Sequence, residues 1–180
     1  MSSIEFLISL PFKLYLMVVL LRFWLQLARA DFYNPFSQFV VKATHPLVAP
    51  LRRIIPSFGR MDSATLLLAW LVAMGQIIAL SLIAGASLGN FFGMASFALL
   101  IVLKEAFDLV FYVLILRAIM SWVSQGRNPM ELVLAQLTEP MLYPIRKRLP
   151  DMGGLDLSVM VVILILIFLQ KLMGDLFGIF

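Results

Sequence analysis

The stretch Asn34-Pro35 … Thr44-x-Pro46-x-x-x-Pro50-x-Arg52-x-x-x-Pro56-x-x-Gly59-x-x-Asp62 … Gln76 recurs about 94 positions later. The second copy reads Asn128-Pro129 … Thr138-x-Pro140-x-x-x-Pro144-x-Arg146-x-x-x-Pro150-x-x-Gly153-x-x-Asp156 … Gln170. Long apolar runs flank both copies, so the chain reads as one membrane hairpin written twice. A residue kept in both halves is then a candidate for something the architecture needs.

Composition sets the solvent. With 62% hydrophobic and 13% charged residues and a mean hydropathy of +1.01, a chain of 180 residues has too few polar groups to cover a soluble surface. The absence of cysteine excludes disulfides and thiolate metal sites. The formal net charge is +4, but the basic residues cluster beside apolar runs, where they set topology, and direct nucleic-acid binding is not expected.

Apolar runs at residues 6–28, 63–84, 96–123 and 155–173 are each long enough to cross a hydrocarbon core, which takes roughly 20 helical residues. Helices satisfy their backbone internally there, so the expected fold class is an all-α membrane protein. It has four transmembrane helices in two parallel hairpin repeats, residues 1–85 and 96–180, joined by a connecting turn at 86–95. A cleaved signal peptide competes for the first run through Ala28-Arg29-Ala30, but Glu5 spoils a basic leader, and the equivalent of this segment lies in mid-chain. Segment 85–103 is ambiguous. Gly85, Gly89 and Gly93 read either as a turn leading into a long third helix or as a small-residue packing face on a fifth span. A fifth span would place the two basic loops on opposite sides of the membrane, so the turn is preferred.

Arg29, Lys42, Arg52, Arg53 and Arg60 fall between the first two spans, and Arg127, Arg146, Lys147 and Arg148 between the last two. The positive-inside bias puts both Pro-rich loops in the cytoplasm and both termini on the opposite side of the membrane. Each loop opens with Asn-Pro and a short amphipathic helix. Phe36, Phe39, Val40 and Ala43 share one face in the first, and Met130, Val133, Leu134, Leu137 and Met141 in the second. These faces are expected to lie in the interface, against acyl chains and beside anionic headgroups. The prolines at 46, 50 and 56, matched at 140, 144 and 150, are expected to deny the backbone its regular bonds and to impose one irregular shape twice.

Arg22 and Arg117 are equivalent, each about two turns inside the cytoplasmic end of its span, where a charge needs a partner, a wet cavity or a route for snorkelling. Asp62 and Asp156, at the first turns of spans two and four, are the expected partners; helix N-capping is their plainer role. Gln76 and Gln170 lie about 21 Å into their helices at 1.5 Å per residue, and serve as interhelical hydrogen-bonding groups or line a polar path. Lys13 and Asp108 sit at matching depths and can meet if both helices face the axis. Trp24 and Trp122 read as interfacial anchors. Enzymatic chemistry finds no support: the lone His45 is matched by Glu139, and no metal-binding pair, nucleophile with a base, or phosphate loop occurs. No cofactor is expected.

The run Arg117-x-x-x-Ser121-Trp122-Val123 … Asn128-Pro129 … Leu137-Thr138-Glu139-Pro140-Met141-Leu142-x-Pro144-Ile145-Arg146-Lys147-x-Leu149-Pro150 … Gly153-Gly154-Leu155-Asp156-Leu157-Ser158 resembles the YggT (YlmG-like) family of bacterial and plastid membrane proteins. The C-terminal copy matches closely and the N-terminal copy loosely. Val159 stands where many relatives carry proline. The resemblance implies a role in tolerance of osmotic shock and potassium uptake for two-repeat members. Single-repeat relatives imply links to cell division, nucleoid distribution and thylakoid assembly. Two readings therefore stand: a non-enzymatic contributor to ion homeostasis working through Arg22, Asp62, Arg117 and Asp156, or a scaffold that recruits division, nucleoid-organising or assembly partners. A homo-oligomer or a membrane-protein partner fits either.

Overall fold

The computed structural model describes residues 3–57, 59, 61–86, 88–123, 128–149 and 156–178, with the side chains of Trp122 and Val123 also left aside. Arg60, Arg127, Pro150 and the Trp122 side chain, all singled out from the sequence, lie outside what is described. Among the described residues six helices follow in order: α1 (Ser3–Leu27), α2 (Pro35–Ile54), α3 (Ser63–Ile83), α4 (Phe91–Val123), α5 (Pro129–Arg146) and α6 (Leu157–Phe177). Among the described residues, α1, α3 and α6 are long and apolar enough to cross a membrane. The 33-residue α4 spans about 50 Å at 1.5 Å per residue and carries Lys104, Glu105, Asp108 and Arg117. It begins at Phe91, so the turn after Ile83 is shorter than the expected 86–95 connection. Gly85 takes the left-handed conformation there, with φ of 63°.

Capping residues set the helix ends. Arg29, at φ 53°, closes α1: its N–H bonds Gln26 O at 3.2 Å and the Ala30 N–H bonds Leu25 O at 3.0 Å. That is the Schellman pattern, here with arginine rather than glycine in the left-handed position, at a cost of about 1–2 kcal/mol. The two Asn-Pro pairs start α2 and α5 alike. The Asn34 carboxamide accepts from the Phe36 N–H at 3.0 Å and that of Asn128 from the Met130 N–H at 2.9 Å, while proline fills the first helical position, where no donor is needed.

The loop prolines do not break their helices, contrary to expectation. Pro46 and Pro50 lie inside α2, and Pro140 and Pro144 inside α5. Prolines four residues apart remove donors for carbonyls on a single helical stripe. All four rings sit on exposed surface, so the orphaned carbonyls line an exposed edge and the buried faces keep their bonds. Pro56 lies past the end of α2, where it blocks continuation.

The apolar faces also divide differently from the expectation. On α5, Val133, Leu134 and Leu137 are buried inside the protein instead of facing acyl chains. On α2 the buried stripe is Ser37, Val40, Thr44 and Val48. A separate exposed stripe, Phe39, Ala43, Leu47, Pro50 and Ile54, follows helical spacing along an adjacent face, with Ile54 at 79% exposure. Of the two loop helices, α2 thus keeps, among the described residues, a continuous apolar face of the kind that enters a membrane interface.

The chain forms two compact units that cut across the sequence repeats: Met1–Phe23 with Val40–Ala106, and Trp24–Phe39 with Phe107–Phe180. In the first, Leu16, Val19, Leu68 and Ala73 are buried, and Gly75 packs so closely that an added Cβ would meet the Phe12 ring at 3.3 Å. The Trp70 indole N–H bonds Ala95 O at 3.1 Å, holding α3 to the start of α4. In the second, Leu114, Leu142, Val159, Val162 and Leu166 form one cluster joining α4, α5 and α6.

Candidate functional site

Each unit contains one copy of the same polar constellation, centred on a threonine of its loop helix. In the first, Arg22 is 4% exposed and its Nη1 donates to Thr44 Oγ1 at 2.8 Å and to Val41 O at 3.2 Å. The Thr44 hydroxyl in turn donates to Val40 O at 2.7 Å. In the second, Arg117 Nη1 donates to Thr138 Oγ1, whose hydroxyl donates to Leu134 O at 2.7 Å. A threonine inside a helix commonly bonds back to the carbonyl four residues before, which leaves its oxygen free to accept. Here that acceptor receives the arginine of a long helix, α1 in one unit and α4 in the other. Both threonines belong to the repeated motif, and their recurrence was the signal that could have singled them out.

The aspartates bind other arginines than expected. Asp62 is paired with Arg52 and Asp156 with Arg146, whereas the sequence suggested Arg22 and Arg117 as partners. The cause lies in the prolines: because α2 runs unbroken to Ile54, Arg52 arrives in its last turn beside the N-terminus of α3. The negative end of one helix dipole and the positive end of the next then meet, each with a complementary charge. Asp62 also caps α3, accepting from the Thr65 hydroxyl at 2.5 Å and the Thr65 N–H at 3.4 Å. Asp156 caps α6 through the Ser158 N–H at 3.1 Å and the Ser158 hydroxyl. Capping and ion pairing are thus one arrangement. Burial pushes both carboxyls up, but hydrogen bonds from Arg52 and Thr65, and from Ser158 and Arg146, outweigh it and hold both below the usual aspartate range.

The copies differ at one position. In the second unit Glu139 joins the two arginines, its Oε2 at 2.9 Å from Arg117 Nη2 and its Oε1 at 2.8 Å from Arg146 Nη1. The equivalent of Glu139 in the first unit is His45, which is exposed. The second constellation holds two cations and two anions. In the first, Arg22, Arg52 and Asp62 recur, and no carboxylate stands at the position of Glu139.

Further polar contacts lie within the long helices. Lys13 pairs with Glu105 at 3.4 Å in the first unit, where the carboxylate side chain is 8% exposed. In the second, Gln170 donates to Asp108 at 2.9 Å, bridging α6 and α4. Its repeat partner Gln76 is half-buried. The two Asn-Pro caps also meet inside the second unit. Asn34 Nδ2 donates to Pro129 O at 2.7 Å, and Asp31, Tyr33, Asn128 and Leu132 line an open groove beside them. Among the described residues no cluster of histidine or carboxylate side chains has the geometry to hold a metal ion.

Comparison with known proteins agrees with the duplication. The CCB3/YggT family model matches residues 1–83 and again 96–177. An uncharacterized Vibrio alginolyticus protein encoded 3′ of proC is 56% identical over 99% of this chain and 97% of its own length. The uncharacterized protein YggT of Escherichia coli K12 is 51% identical, over 92% of this chain and 86% of its own. An uncharacterized Haemophilus influenzae protein is 41% identical over 90% and 86%. No solved structure matches the chain. With near full-length relatives and a family match that covers both halves, the chain belongs to the CCB3/YggT family of membrane proteins.

Proposed function

We propose that this protein is a non-enzymatic, four-span inner-membrane protein that contributes to osmotic tolerance and ion homeostasis, potassium in particular, without a cofactor. The spans are α1, α3, α4 and α6, with the α2 and α5 loops in the cytoplasm. The observation that carries the reading is the arginine–threonine and arginine–aspartate contacts found once in each unit, where the loop helix meets its long helices. Withdrawing the two equivalent guanidiniums largely from water costs stability unless their charge is used. Fixed arginines at the cytoplasmic ends of the helices act on the local ion distribution in a way that depends on ionic strength.

Topology is tested first. Cysteines at Ser57 and Lys147 should be protected from a membrane-impermeant thiol reagent in intact cells, while one at Asn90 should be labelled. Labelling at Ser57 with protection at Lys147 would replace four spans with five.

The role is tested in cells whose only copy carries Arg22→Gln and Arg117→Gln, which retain a donor for each threonine and remove the charge. The expected result is slower growth and slower potassium recovery after a hyperosmotic step, at wild-type abundance in the membrane. Unchanged recovery at that abundance would refute the role. The scaffold reading draws on the exposed apolar stripe of α2 and the groove between the Asn-Pro caps. It expects Tyr33→Ala, whose side chain is 88% exposed at that groove, to abolish recruitment while potassium recovery stays normal.

A further inference from the structure

The exposed stripe of α2 is bordered by charge of one sign. Within the first unit, Ala43, Leu47, Pro50 and Ile54 run along one face of the helix, with Leu47 50% and Ile54 79% exposed. Lys42 and Arg53, both exposed and about three turns apart at 3.6 residues per turn, fall on the same edge of that stripe. Between Asp31 and Asp62 the sequence has no aspartate or glutamate, whereas α5 carries Glu131 and Glu139. Two contacts hold this helix where long apolar helices end. Thr44, in its middle, receives Arg22 from about a turn and a half before the end of α1, and Arg52, in its last turn, pairs with Asp62 at the start of α3. Both of those helices are long and apolar enough to cross a membrane, so α2 stands at the boundary between hydrocarbon and water.

We propose that this face of α2 is a docking surface for anionic lipid: Leu47 and Ile54 enter the acyl boundary of the cytoplasmic leaflet, and Lys42 and Arg53 hold phosphate-bearing headgroups beside them. An apolar stripe edged by lysine and arginine is the arrangement by which a helix lies in a membrane interface, through buried apolar area and attraction to anionic headgroups together. A lipid surface is favoured over a protein partner because the stripe sits at the ends of apolar helices and is edged by cations alone, which matches the negative potential of a cytoplasmic leaflet. The attraction acts within a Debye length, about 10 Å at 0.1 M salt and about 3 Å at 1 M, so the hold of Lys42 and Arg53 weakens as the cytoplasm concentrates after a hyperosmotic step. The proposal deepens the reading above, resting on it for the cytoplasmic placement of α2: it supplies a lipid partner whose grip responds to ionic strength.

The chain has no cysteine, so Ala43→Cys gives a single labelling site in the middle of the stripe. The purified full chain, carrying an environment-sensitive fluorophore there, is placed in nanodiscs of phosphatidylcholine alone or mixed equally with phosphatidylglycerol, and quenching by brominated acyl chains is measured. In about 0.1 M KCl the label should be strongly quenched in the phosphatidylglycerol discs and weakly in phosphatidylcholine, and about 1 M KCl should bring the first down to the second. Lys42→Gln with Arg53→Gln should lower the ratio of quenched to unquenched label in the phosphatidylglycerol discs by about fivefold for each cation removed. Leu47→Asp should abolish the quenching. Neither variant should change the melting temperature in uncharged detergent, which separates lost docking from lost folding. Equal quenching in the two discs, or quenching that the paired glutamine variant leaves unchanged, overturns the proposal. So does a label exposed in both discs, which leaves the stripe to another protein, and so does shielding in detergent that disappears on dilution, which assigns it to a second copy of this chain. Because the discs expose both leaflets, that failure is separate from a failure of the topology or of the osmotic role, which are read in cells.

Discussion

Asp62→Ala should cost about 2–4 kcal/mol of stability, against about 1 kcal/mol for the equivalent Asp156→Ala. The two aspartates make the same kinds of contact, a cap and an arginine pair, so the difference comes from burial. The Asp62 side chain is 0% exposed and that of Asp156 is 36% exposed. Removing Asp62 leaves the Thr65 N–H and hydroxyl without their acceptor in a dry site, whereas water can replace Asp156. Arg52, being 39% exposed, can swing to solvent, which keeps the loss below that of a fully buried pair. Denaturant unfolding of both variants in detergent checks the order, and equal losses would show that burial does not govern these caps. The pH dependence has a definite sign. Both carboxyls titrate below the ordinary aspartate value in the folded protein, so their contribution is fully present above about pH 4 and is lost as pH falls through the folded values. Asp62→Asn should therefore flatten the acid side of the stability profile.

Val133→Asp with Leu137→Asp should abolish accumulation of the folded protein. Both side chains are 0% exposed, and an unpaired carboxylate in such a place costs more than about 4 kcal/mol. The amphipathic pattern of α5 alone would assign the same pair to a membrane-facing surface, where the double variant would weaken attachment and leave the fold intact. The comparison that separates the two is Phe39→Asp with Leu47→Asp on α2, whose side chains are 62% and 50% exposed. That protein should reach wild-type abundance and resist denaturant as wild type does. Equal depletion of both double variants, measured by membrane fractionation, would mean that the two apolar faces are not distinguished by burial.

The sequence by itself determined the solvent, the duplication, and most helix ends. A composition this apolar leaves lipid as the surrounding medium, and a motif with prolines, basic residues and an aspartate at fixed spacing does not recur by chance. Asn-Pro and the single aspartates mark helix starts because a local side chain satisfies a local N–H, which needs no knowledge of the rest of the chain. Residue partners are a different matter. Whether Arg22 or Arg52 meets Asp62 depends on whether the chain between them stays helical through two prolines. That outcome is set by which face of α2 is buried, since orphaned carbonyls are tolerated at an exposed edge and not in a core. Periodicity identified an apolar face on α5 but could not say whether protein or lipid covers it, because both are equally apolar. Only tertiary packing turned that face inward and left the stripe of α2 outside. The bridge through Glu139 is of the same kind: its exchange for His45 is visible in the aligned repeats, but that Glu139 joins Arg117 to Arg146 required the two guanidinium groups to be seen around one carboxylate.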